Sequence, residues 1–159
     1  MIRLLPIALL SAAASTAAAD GLAPGAYDVA YQLEVPHVEQ FAVSKTVKVC
    51  LARPPGAALL ALPVLSQNNP LAHCPASNIR LEGGTLRFDI LCPGRRNDRS
   101  EGHAVYDLVA GGFRGRIHMK MGGKNMTFVE AQWGRRTGAC NLASLPRLIA
   151  ERLSAGALE

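Results

Sequence analysis

The stretch Glu101 to Cys140 constrains the fold most. Three apolar-rich runs are divided there by two glycine pairs, Gly111-Gly112 and Gly122-Gly123. Glycine reaches positive φ without steric penalty, so paired glycines between alternating runs mark hairpins. The stretch therefore reads as a three-stranded antiparallel meander ending at a cysteine. A two-residue turn at Gly111-Gly112 would set Tyr106 opposite Ile117 and Ala104 opposite Met119 on one apolar face. On the other face Asp107 would lie opposite Arg116, an opposite-charge cross-strand pair. The second hairpin allows two registers. A Gly122-Gly123-Lys124 loop places Phe113 opposite Trp133, whereas adding Asn125 to the loop places Met119 opposite Phe128.

The earlier chain supplies more strands. Tyr27, Val29, Tyr31, Leu33 and Val35 alternate with Asp28, Ala30, Gln32 and Glu34. Phe41 to Leu51 alternates again, with Val47, Val49 and Leu51 on one side. The two runs form a first hairpin around Pro36 to Gln40. Ile79 to Glu82 and Thr85 to Cys92 flank Gly83-Gly84, which sets Leu81 opposite Leu86 and Ile79 opposite Phe88. Between these hairpins Ala52 to His73 is rich in Pro, Ala and Leu and reads as a long crossover loop with one helical turn at most. Its leucines are expected to cover an open end of the sheet; the functional alternative is a lid over a ligand pocket.

Met1 to Ala19 carries one early cation, Arg3, then a short apolar run and Ala17-Ala18-Ala19, the pattern of a secretory signal peptide. The apolar run falls short of the roughly 20 residues a membrane-spanning helix needs. The expectation is a periplasmic or secreted protein beginning at Asp20, with no transmembrane segment in the mature chain. Taking Arg3 from the 17 Lys+Arg leaves 16 against 12 Asp+Glu, a net +4. Aromatics are only 5% of the chain, and no basic cluster is interleaved with them, which excludes a nucleic-acid partner.

Four cysteines in an exported chain imply two disulfides. The Gly83-Gly84 register carries Cys92 opposite Pro75, one residue from Cys74. A bulge or bend at Pro75 would join Cys74 to Cys92. Cys50 and Cys140 then pair by elimination. No C-x-x-C spacing supports a zinc site.

With these features the chain resembles the domain-of-unknown-function (DUF) 3617 family of small secreted bacterial proteins. The resemblance rests on the leader, Gly25-Ala26-Tyr27, Val49-Cys50-Leu51, Cys74 and Phe88-Asp89-Ile90-Leu91-Cys92. It continues through the Gly-rich, Met-bearing meander to Gly134-Arg135-Arg136-Thr137-Gly138-Ala139-Cys140, so it covers about Gly21 to Cys140. It implies a secreted, mostly β domain and supplies no activity to carry over. The chain departs from the family pattern in its long Pro/Ala/Leu-rich loop and in its tail.

The tail, Asn141 to Glu159, reads as a helix. Ser144 is a candidate N-cap, Pro146 fits the first turn, and Leu145, Leu148, Ile149 and Leu153 recur at helical spacing. The expected architecture is thus an all-β domain, residues 20–140, of about six antiparallel strands. They form a small barrel or a curled, half-open sheet with two disulfides and one C-terminal helix (141–159) packed on or beside it.

Chemistry is sparse. No nucleophile motif such as G-x-S-x-G is present. No residue is assigned a catalytic, cofactor-binding or metal-ligating role, and no cofactor is expected. His103 and His118 fall on the outward face of the first meander hairpin, with Lys120 opposite His103 and Val105 opposite His118. The imidazoles are then diagonal neighbours within reach of a shared ligand. His103, Arg116, His118 and Lys120 are the candidate surface patch. The function expected is a non-enzymatic binding or envelope-accessory module, whose partner is a small apolar ligand or an envelope protein. The alternatives are a periplasmic hydrolase using His103 or His118, and a structural subunit docking through the tail helix.

Overall fold

A computed structural model describes residues 21–37, 44–53, 55–93, 99–122 and 126–140. The expected signal peptide (1–19), the tail helix (141–159) and the start of the Phe41 run lie outside the described residues. Seven strands are described: β1 Gly25–Glu34, β2 Ser44–Leu51, β3 Ala76–Glu82, β4 Thr85–Leu91, β5 Glu101–Val109, β6 Gly112–Met121 and β7 Met126–Gly138. They form one antiparallel sheet in the order β2-β1-β7-β6-β5-β4-β3.

One expectation is corrected here. The strands number seven, not about six: two in the first hairpin, two flanking Gly83-Gly84 and three in the meander, with the Ile79–Glu82 run extended back to Ala76. Of the two forms expected, barrel or half-open sheet, the sheet takes the open one: β2 and β3 are its two edges. Both edges carry features that discourage further pairing. Exposed Lys45 and Lys48 stud β2, and β3 is broken by a bulge between Ser77 and Arg80.

That bulge explains the first disulfide. Near the turn Leu81 pairs with Leu86, as the glycine pair predicts. Asn78 then adopts φ 52°, a left-handed conformation that asparagine tolerates. The register shifts by one, so that Ser77 pairs with Asp89 and Ala76 with Ile90. Carried on, the shifted register sets Cys74 directly opposite Cys92, and the two are bridged with Cα atoms 4.9 Å apart. The bend expected at Pro75 lies three residues later, at Asn78. The second bridge joins Cys50 to Cys140, Cα to Cα 5.5 Å, and ties β2 to the end of β7 across β1. Both expected pairings are found.

The first meander turn is displaced from its expected place. The turn residues are Ala110 and Gly111, and Val109 pairs with Gly112. The two glycines have separate tasks. Gly111 takes φ 72°, which an L side chain rarely adopts. Gly112 lies in the ladder, where a Cβ would collide with the Gly134 carbonyl of β7. Every partner therefore slips by two residues while both faces are kept. Asp107 pairs with Arg114 rather than Arg116, at 3.8 Å between Oδ2 and Nε. Ile117 pairs with Ala104, Tyr106 with Gly115, and Gly102 with Met119. In the second hairpin Met119 pairs with Phe128, the register in which Asn125 belongs to the loop.

The inner face carries Tyr27, Val29, Leu86, Phe88, Ile90, Tyr106, Phe113, Ile117 and Met119, all buried. Tyr106 centres an aromatic cluster, stacked on Phe88 at 6.0 Å and edge-on to Phe113 at 5.6 Å. A Cβ at Gly134 would strike the Phe113 ring, so the glycine makes room for it. The segment from Ala52 to Cys74 must travel from one sheet edge to the other. At about 4.8 Å per strand spacing that is roughly 29 Å. It crosses over the inner face and buries Leu60, Leu62, Val64 and Leu71 in the same core. Its one helical turn is a 3-10 turn, Pro70–His73, capped by the Asn69 side chain accepting from Leu71 N. A single sheet has only one layer, and this segment supplies the second.

Candidate functional site

His103 and His118 are Cα partners on β5 and β6, both exposed on the outer face. The two-residue slip makes them directly opposite where the sequence placed them diagonally, and it gives Lys120 to Glu101. His103 is also the partner of Asp89 on β4. Its Nδ1 lies 2.8 Å from Asp89 Oδ1, while Asn78 Nδ2 donates to Asp89 Oδ2, also at 2.8 Å. The Asn78 hydrogen bond first, and the His103 bond second, hold the Asp89 carboxyl below its ordinary value. An ionised carboxylate only accepts, so the imidazole donates from Nδ1 and its Nε2 is directed away from Asp89.

Arg116 is separately engaged. It sits opposite Ala131 of β7, whose small, fully buried side chain lets the guanidinium pass over to Glu34 on β1, Nη2 to Oε1 3.4 Å. Of the expected patch, His103, His118 and Lys120 line one cavity of about 420 Å³, together with Glu34 and Glu101. A second cavity of about 520 Å³ adjoins it, walled by Leu33, Met121 and Met126 on the sheet and by Ser66, Asn69 and Pro70 of the crossing segment. Val35, Pro36, Thr127 and Phe128 belong to both. The two make one groove around the end of the sheet, with charged and imidazole side chains among its lining on the outer face and none beneath the crossing segment.

Sequence reasoning missed the polar groups of the interior. Glu130 and Gln132 on β7 face inward and are 0% and 1% exposed. The Glu130 carboxylate accepts from Leu65 N at 2.8 Å, Ser66 N at 3.0 Å and Gln132 Nε2 at 2.6 Å. Gln132 Nε2 also donates to the Pro63 carbonyl at 2.9 Å. The pair thereby fastens the crossing segment to the sheet just before that segment reaches the groove. Burial first, and the nearby Glu130 carboxylate second, push the Tyr106 phenol well above its ordinary 10.0. The available signal was the register that sets Met119 opposite Phe128, since only that register turns Glu130 and Gln132 inward.

Among the described residues no group of three or more His, Cys, Asp or Glu side chains could hold a metal ion. No described helix is long and apolar enough to cross a membrane. The chain matches no family model, no curated protein and no solved structure.

Proposed function

We propose that this is an exported, non-enzymatic binding domain that holds a small, mainly apolar molecule in the groove between β1, β7 and the crossing segment. The observation that carries this reading is the pair of adjoining cavities, about 420 and 520 Å³, in the size range of small-molecule sites. Leu33, Val35, Met121, Met126 and Phe128 supply apolar walls, and two unbranched thioethers can adapt to an irregular ligand. The two disulfides are compatible with a compartment outside the cytoplasm. The leader pattern, and the resemblance to the DUF 3617 family in motif order, support export to the periplasm. N-terminal sequencing of the exported protein should then begin at Asp20.

The test is titration with the neutral probe N-phenyl-1-naphthylamine, followed by its fluorescence. Saturable binding is expected, weakened at least tenfold by Met126→Glu, a change at an exposed wall residue that leaves the core untouched. Absence of saturable binding, or binding indifferent to Met126→Glu, refutes the reading. One observation favours a second reading, a hydrolase: the Asp89–His103 hydrogen bond resembles the orientation of a general base. Under that reading His103→Ala abolishes a measurable turnover on ester substrates.

A further inference from the structure

We propose that His103 and His118 form a two-imidazole site for a divalent transition-metal ion, of the copper(II), nickel(II) or zinc(II) class, at the polar end of the groove. The inference does not depend on what occupies the apolar end.

The register comes first. Residues directly opposite on neighbouring antiparallel strands have Cβ atoms about 4.5–5.5 Å apart. His103 and His118 are such partners and project from the same face. Two imidazoles at that spacing can converge on one ion at the roughly 2.0–2.1 Å of a metal–nitrogen bond.

Orientation follows. Metal-binding histidines commonly donate their other ring N–H to a carboxylate, which fixes the tautomer and strengthens the ligand. Asp89 does this for His103, and Asn78 in turn holds Asp89. Asn78 occupies the left-handed position of the β3 bulge. The bulge that aligns Cys74 with Cys92 therefore also delivers the amide that steadies Asp89.

Charge is the third consideration. Arg116 and Lys120 lie on the same face and oppose a cation. Arg116 is drawn to Glu34 at 3.4 Å, and Lys120 is the ladder partner of Glu101. Asp89 also feels Arg80, so with both imidazoles neutral three carboxylates, Glu34, Asp89 and Glu101, balance three cations and leave no net positive charge to repel an ion. Imidazole nitrogen selects zinc, copper and nickel over calcium and magnesium, which require oxygen donors. Since no third described ligand converges, the remaining positions open to solvent or to a donor atom in the groove.

The experiment is calorimetric titration of the untagged, disulfide-intact mature protein with copper(II), nickel(II) and zinc(II) salts. One saturable equivalent is expected for at least one of the three. His103→Gln and His118→Gln should each weaken it at least tenfold, and Asp89→Asn about 10- to 100-fold. His37→Ala and His73→Ala should leave it unchanged. Paramagnetic broadening by copper(II) or nickel(II) should fall on the His103 and His118 ring signals. The idea is overturned by absence of stoichiometric binding, by binding that survives the His103/His118 double variant, or by broadening centred on His37 or His73. Naphthylamine binding is read in parallel, so failure of the metal site and failure of the apolar groove are separate results.

Discussion

Removing the Glu130 carboxylate should loosen the crossing segment from the sheet. In the folded protein this side chain is fully buried and satisfies three N–H donors, at 2.8, 3.0 and 2.6 Å. Glu130→Ala strands the two backbone N–H groups and one N–H of the Gln132 amide, whose other N–H still reaches the Pro63 carbonyl. A buried donor without a partner costs about 1–3 kcal/mol. Two of the donors are amides of an irregular segment that can shift toward water, so the lower part of that range applies to each. The sum is about 3–5 kcal/mol, comparable to breaking a buried ionic network. Glu130→Gln keeps the volume and one acceptor oxygen but turns the other into a donor facing an N–H; about 1–3 kcal/mol is expected. Urea denaturation with both disulfides intact measures the three proteins. Amide exchange adds a local reading: protection at Leu65 and Ser66 should fall in both variants, while that of Ile117 in the central ladder falls only with global stability. A Glu130→Ala protein within about 0.5 kcal/mol of wild type, with Leu65 and Ser66 still protected, would refute the argument.

Three further outcomes are expected. Ile117→Ala should cost roughly 2–5 kcal/mol because the side chain is fully buried, whereas Asp107→Ala, whose Arg114 partner is exposed, should cost about 0–1 kcal/mol; a urea titration of both variants that reversed this order would invert the two faces. Replacing Cys74 and Cys92 by serine should cost about 3 kcal/mol, and opening the 90-residue Cys50–Cys140 loop about 4 to 5 kcal/mol, by chain-entropy arguments checked in thermal melts. Tyr106 keeps its proton in the folded state, so stability is full below pH 10, where both states are protonated, and declines above it as the unfolded chain ionises. Absorbance at the tyrosinate band should show Tyr106 ionising only with unfolding, and Tyr106→Phe should be nearly neutral, since its hydroxyl has no partner among the described residues.

What the sequence revealed, and what it hid, follow from the period of a strand. Alternation assigns residues to faces, so Tyr106 and Ile117 were legible as core and His103 and His118 as outward. A slip by two residues leaves every face unchanged, and moving the turn by one residue slipped the β5–β6 pairing by that amount; the close approach at Gly112 favours the register found. A slip by one is a bulge, and the cysteines signalled that one was needed without saying where. Asn78, an uncommon non-glycine at positive φ, was the residue able to host it. Asp89 escaped notice because its partnership with His103 needs the β4–β5 register, and no glycine-pair turn in the sequence between Leu91 and Glu101 sets it. The groove was not legible either, since its walls come from strand ends and a crossing segment far apart in the chain.

Glu130 and Gln132 were hidden for a different reason. Polar residues within an alternating strand ordinarily face water, and the outer face is where such a pattern would place them. Here the second layer over the sheet is not a helix or another sheet. It is an irregular segment with backbone N–H and C=O groups that no ladder pairs. Leu65 N, Ser66 N and the Pro63 carbonyl would be buried without partners if β7 offered only apolar side chains there. One carboxylate that accepts through both oxygens, and one amide that donates from Nε2, meet that need from successive inward positions. The leucines of the segment supply the apolar contact, and Glu130 and Gln132 fix its path. That path runs on through Ser66 and Asn69 to the groove wall. The same contact that completes the core therefore also sets the shape of the cavity, whose wall is anchored at Glu130.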